Sequence, residues 1–165
     1  MNVETTFSRF ECGSATQSNT ANWSDEVLKV LSFRDDCVDW ASGESCKGPW
    51  LAIRCRRPNQ AATPWVFVNH FQKADRSVLS LSCRLFAPAK SELREAICEI
   101  VTRLVYGRVQ PVPDGHPYVL YLCEHLCEDS LPSNKTINFL IDDVIEAAGV
   151  YQELLRKIID KTELG

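Results

Sequence analysis

Hydrophobic and polar positions alternate along this chain with two different periods, and the order of those periods predicts a fold. Ser24 has the chemistry of a helix N-cap, and Asp25 and Glu26 suit the positive end of a helix dipole. Val27, Leu28, Val30 and Leu31 follow at helical spacing, so a short first helix is expected to end near Phe33. Cys37 to Trp40 reads as a strand, and Ser42-Gly43-Glu44-Ser45 as turn material. Trp50 to Arg57 then alternates with period two. Leu51, Ile53 and Cys55 share one face, and Trp50, Ala52, Arg54 and Arg56 the other. Trp65 to Phe71 is apolar on both faces, as a central strand would be. In Val78 to Phe86, Leu79, Leu81, Cys83 and Leu85 oppose Ser80, Ser82 and Arg84.

Pro88 suits the first turn of a second helix, with Leu93, Ile97, Ile100, Val101 and Leu104 as its apolar stripe. Gly107 is expected to close it in a left-handed cap. Pro111, Pro113 and Asp114-Gly115 mark a turn, and Tyr118 to Glu128 a long strand. Ser133 or Asn134 caps a final long helix, whose stripe runs from Ile137 to Ile159 across Gly149. Glycine there predicts a close contact or a kink. Residues 1–21, rich in Ser, Thr and Asn, read as a mobile polar tail, and residues 22–165 as a single domain. Together these patterns predict an α+β fold: an open, mostly antiparallel sheet with helices packed on one face.

The sheet face opposite the helices is expected to carry Arg54, Arg56 and Arg84 among small polar residues, with Trp50 near one end. Such a face can simply be solvated. Arginine and tryptophan are also enriched where proteins dock, so Trp50, Arg54, Arg56 and Arg84 are the candidate partner-binding residues.

Composition narrows the function. A length of 165 residues, 45% hydrophobic content and 24% charged content are those of one globular domain. The formal net charge of −4 disfavours non-specific binding to nucleic acid, which needs a basic surface. No apolar run approaches the ~20 residues that span a bilayer, so no membrane partner is expected. The N-terminal residues lack a basic, then apolar, leader pattern. A cytoplasmic location with reduced thiols is therefore expected for the eight cysteines.

Candidate chemistry is sparse. Cys123, His125 and Cys127 fall two apart on a strand, so their side chains share a face and form a candidate zinc or thiol row. The plainer reading is three half-buried strand residues. A catalytic thiol needs a base or a helix N-terminus beside it, and no cysteine-enzyme motif surrounds this row. Asp142 and Asp143 diverge by about 100° on a helix, which makes a solvated face rather than a dyad. No catalytic residue is assigned, no cofactor is expected, and the chain reads as non-enzymatic.

The order of elements resembles the YbjN-type family, whose fold is like that of the type III secretion chaperones. The features that carry the resemblance are the early short helix and Gly48-Pro49-Trp50 opening a strand. The hairpin through Ser77 to Phe86, Pro88 before a helix, the ending Leu104-Val105-Tyr106-Gly107, a strand pair after it and the long terminal helix complete it. The family more often has Asn where Val105 stands. The resemblance implies a non-enzymatic, chaperone-like or regulatory protein that binds another protein and forms homodimers.

Overall fold

A computed structural model describes residues 23–45, 48–56, 64–88, 91–112, 118–128 and 130–163. The expected tail, His116 and two of the eight cysteines, Cys12 and Cys46, lie outside the described residues. The elements in chain order are α1 (Trp23–Leu31), β1 (Cys37–Ser45), β2 (Gly48–Cys55), β3 (Val66–Lys73), β4 (Arg76–Phe86), α2 (Ser91–Leu104), β5 (Arg108–Pro111), β6 (Tyr118–Cys127) and α3 (Asn134–Glu163). The six strands form one antiparallel sheet in the order β1-β2-β3-β4-β6-β5. β1 to β4 is a meander. α2 then carries the chain past β4, so that β6 fills the place beside it and β5 lies outermost.

Period-two alternation places Leu51, Ile53, Val66, Val68, Leu79, Leu81, Cys83, Val119, Tyr121 and Cys123 on one face. All are buried in a single core with Val27 of α1, Ile97 and Val101 of α2, and Ile137, Leu140, Ile141, Val144, Ala148 and Tyr151 of α3. Burying side chains of this size stabilises by about 1.5–3 kcal/mol each, which is what holds the helices to the sheet. The expected α+β architecture with helices on one face is the one observed.

Several local expectations need correction. β1 runs on through the presumed turn to Ser45, because Ser42, Gly43, Glu44 and Ser45 each pair with a residue of β2. Turn-type residues are tolerated there because the strand lies at the sheet edge and its side chains are mostly exposed. β2 ends at Cys55 rather than Arg57. α2 begins at Ser91, after Pro88, whose carbonyl accepts from Arg94. Its buried stripe uses Ile97, Cys98 and Val101, whereas Ile100 and Leu104 are exposed. β5 is the first member of the expected strand pair, in residues that the pattern leaves unassigned: Val109 opposes Tyr121, and Pro111, read as turn material, opposes Val119. Ser133 does cap α3, its hydroxyl accepting from the Thr136 N–H at 3.2 Å. α3 is 30 residues long and runs unbroken through Gly149.

Gly107 is not in the left-handed region; among described glycines only Gly48 has a positive φ. Close approach is what requires it. A Cβ on Gly107 would lie 2.5 Å from the Tyr121 hydroxyl and 2.6 Å from the Leu122 carbonyl oxygen. The Gly107 N–H donates to that hydroxyl at 2.7 Å, and the hydroxyl donates to Asp143, which also accepts from the Tyr106 N–H. Asp142 turns the other way, to Arg34, which also pairs with Asp36. The two aspartates do diverge, yet both are tethers between elements rather than a solvated face.

Candidate functional site: the open sheet face

The second face of the sheet carries a larger apolar surface than the sequence of β2 and β4 alone suggests. Cross-strand register sets it out. The middle row runs Ala41, Ala52, Phe67, Ser82, Leu122 and Arg108 from one edge to the other. One row along lie Gly43, Trp50, Asn69, Ser80 and Glu124. Phe71, Val78 and Leu126 follow. In the other direction lie Arg84, Leu120 and Gln110, then Phe86 beside Tyr118. β3 and β6 supply Phe67, Phe71, Leu120, Leu122 and Leu126. The expectation of small polar residues around the arginines is therefore corrected to an aromatic and aliphatic face. Ala52 and Val78 are buried within it, though neither belongs to the core under the helices.

Three of the four candidate residues lie on this face, each with its own neighbours. Trp50 lies across Gly43, where an added Cβ would meet the indole at 2.7 Å; the missing side chain makes room for the ring. Arg54 stacks over Trp65, 5.2 Å from the ring centre, and its Nη2 donates to Asp39 at 3.1 Å. Arg84 stacks over Tyr118 at 5.0 Å. Such cation–π contacts contribute about 0.5–1 kcal/mol at exposed sites, enough to hold each guanidinium flat on the sheet. Arg56 stands apart. It follows the end of β2, its N–H donates to the Asp36 carbonyl, and strand pairing does not fix it on this face.

Sequence reasoning passed over Trp65, Phe67, Tyr118 and Arg108. Trp65 and Phe67 sit in a segment that reads as apolar on both sides, Tyr118 opens a strand whose faces the pattern does not assign, and Arg108 sits in the member of the expected strand pair whose residues the pattern leaves open. The face is also basic. Arg54, Lys73, Arg76, Arg84 and Arg108 outnumber Asp39 and Glu124, on a chain of net charge −4. Glu124 is shared between Lys73 at 3.6 Å and Arg108 at 3.4 Å.

The cysteine-histidine row lies on the opposite, helix-covered side. Cys123 faces Leu81, His125 faces Leu79 and Cys127 faces Ser77, so all three share a face as expected. They stay strung along the strand, and the described residues contain no group of three His, Cys, Asp or Glu side chains placed to hold a metal. Burial first, then the nearby Asp143 carboxylate, pushes the Cys123 thiol up to about 12, and burial raises Cys127 too. Neither is poised as a thiolate nucleophile. His70 Nε2 lies 2.5 Å from Ser77 Oγ, but its Nδ1 is buried without a hydrogen-bond partner, so no carboxylate orients the ring.

No family model matches the chain, and no curated protein matches it. No helix among the described residues is long and apolar enough to cross a membrane.

Proposed function

We propose that this chain is a non-enzymatic protein-binding domain, chaperone-like or regulatory, that docks an extended acidic segment of another protein on its open sheet face and works as a homodimer. The observation that carries this reading is the face itself: stacked guanidinium and aromatic groups, net basic, on the side of the sheet away from all three helices. Planar guanidinium groups match carboxylates bidentately, and the half-buried aromatic rings, with exposed Phe86, supply contact area at low entropic cost. The likeness to the YbjN-type and secretion-chaperone fold belongs to the same proposal and rests on element order. So does the cytoplasmic location, which suits six described free cysteines, five of them buried.

Fluorescence anisotropy with labelled, unstructured peptides tests it. Acidic peptides bearing one or two aromatic residues are expected to bind more tightly than charge-reversed versions. Substituting Arg54→Glu and Arg84→Glu together should weaken the acidic peptides by about tenfold or more without lowering the melting temperature by more than a few degrees. Equal binding by the native and doubly substituted proteins would remove the sheet face from the account.

A further inference from the structure

We propose that two copies of this chain pair β1 against β1, antiparallel, about a two-fold axis at Ala41, joining their sheets into one. The proposal rests on the homodimer reading above and states how the copies meet. The sheet has two edges, and they differ. β5 is four residues long and ends in Pro111, which has no N–H to donate. β1 is nine residues long and contains neither lysine nor proline. Its bulge is confined to the Cys37–Asp39 end, and from Asp39 to Ser45 its pairing with β2 is regular. An edge of that length, with its bulge at one end and only Asp39 and Glu44 as charged side chains, is a template for another strand.

Apolar side chains gather at the same edge. Val38 is 50% exposed and Trp40 54%. Trp40 opposes Ile53 and so points to the helix side of the sheet, yet it stays half exposed. With Ala41 on the axis, Trp40 lies opposite the partner's Ser42. The two tryptophans then become diagonal cross-strand neighbours at ~7–8 Å, within reach for aromatic rings. Asp39 falls opposite the partner's Gly43, and Glu44 opposite the partner's Val38. No carboxylate faces another, which is the complementarity that self-pairing requires. The arrangement would also make the two open faces continuous, with Asp39, Ala41 and Gly43 bridging them. A strand-edge contact is small, so the association is expected to be weak and concentration-dependent.

The exposed Ala41 allows a charge-swap test. Ala41→Lys and Ala41→Glu each place like charges directly opposite one another on the axis, and each should weaken self-association in sedimentation velocity by about tenfold. Their equimolar mixture should restore it, because lysine then faces glutamate, and that rescue rules out simple misfolding. If the native chain sediments as a monomer at every concentration, the homodimer reading and the β1 pairing fall together. If it is a dimer that both substitutions leave intact, or that mixing does not restore, the β1 pairing falls and the homodimer reading stands.

Discussion

Replacing Gly107 with Ala tests whether close packing, rather than backbone conformation, fixes this position. The new methyl group would sit 2.5 Å from the Tyr121 hydroxyl and 2.6 Å from the Leu122 carbonyl oxygen. Neither neighbour gives way cheaply. Tyr121 is fully buried and its hydroxyl is bonded to Asp143, while Leu122 lies on a strand paired on both sides. The chain at Gly107 is itself held, since Tyr106 N–H is bonded to Asp143. Overpacking of this kind costs about 1–3 kcal/mol, and losing the Gly107-to-Tyr121 hydrogen bond about 0.5–1.5 kcal/mol more. A total near 2–4 kcal/mol should lower the midpoint of urea unfolding with an unchanged slope. Tyr121→Phe removes one of the three clashing atoms and the same hydrogen bond, leaving the ring Cζ and the Leu122 carbonyl oxygen at 2.6 Å. On that background Gly107→Ala should therefore cost about 1 kcal/mol less than it does alone. A loss under about 0.5 kcal/mol for Gly107→Ala, or strict additivity with Tyr121→Phe, would refute the close-approach argument.

Two further expectations concern side chains near the candidate chemistry. Burial holds the His70 imidazole below its usual value of 6.5, so the unfolded chain binds a proton there at higher pH than the folded one does. Stability should then fall as pH drops from 6.5 toward the folded-state value, and a His70→Gln variant should show a shallower slope in that window; an identical slope would exclude His70 as its source. Burial of the Cys55, Cys83 and Cys123 thiols predicts that, among the described cysteines, half-exposed Cys37 is alkylated first at pH 8 in mass-resolved labelling. Early labelling of Cys123 would return the thiol row to consideration.

The fold was legible where one period governed a whole element. Leu79 to Leu85 on β4 and Ile137 to Tyr151 on α3 announced both their conformation and their buried side. Legibility failed where tertiary context overrode local preference. Ser42 to Ser45 has turn chemistry, but β2 offers an antiparallel partner and the chain pairs with it. Gly107 follows a helix as a left-handed cap would, but the neighbour that dictates glycine, Tyr121, is 14 residues away. Ile100 and Leu104 belong to a helical stripe by spacing, yet the core takes the adjacent Cys98 instead.

The same physics explains why the sharpest pattern in the sequence stays spread out in space and a more diffuse one is gathered on one face. Residues two apart on a strand share a face but lie about 6.6 Å apart, so Cys123, His125 and Cys127 spread along β6 instead of converging. Residues opposite one another on adjacent strands lie about 4.5–5.5 Å apart, so groups distant in sequence meet. Trp50 over Gly43 is a pair of that kind, and Arg84 over Tyr118 is its diagonal counterpart, since Tyr118 lies opposite Phe86. A site assembled across a sheet is written in its register, which no single strand records. For this chain the register gathers guanidinium and aromatic groups on the face away from the helices and leaves thiols scattered beneath them. The face away from the helices is therefore where binding should be sought, and charge reversal at Arg54 and Arg84 is the perturbation that addresses it while leaving the core untouched.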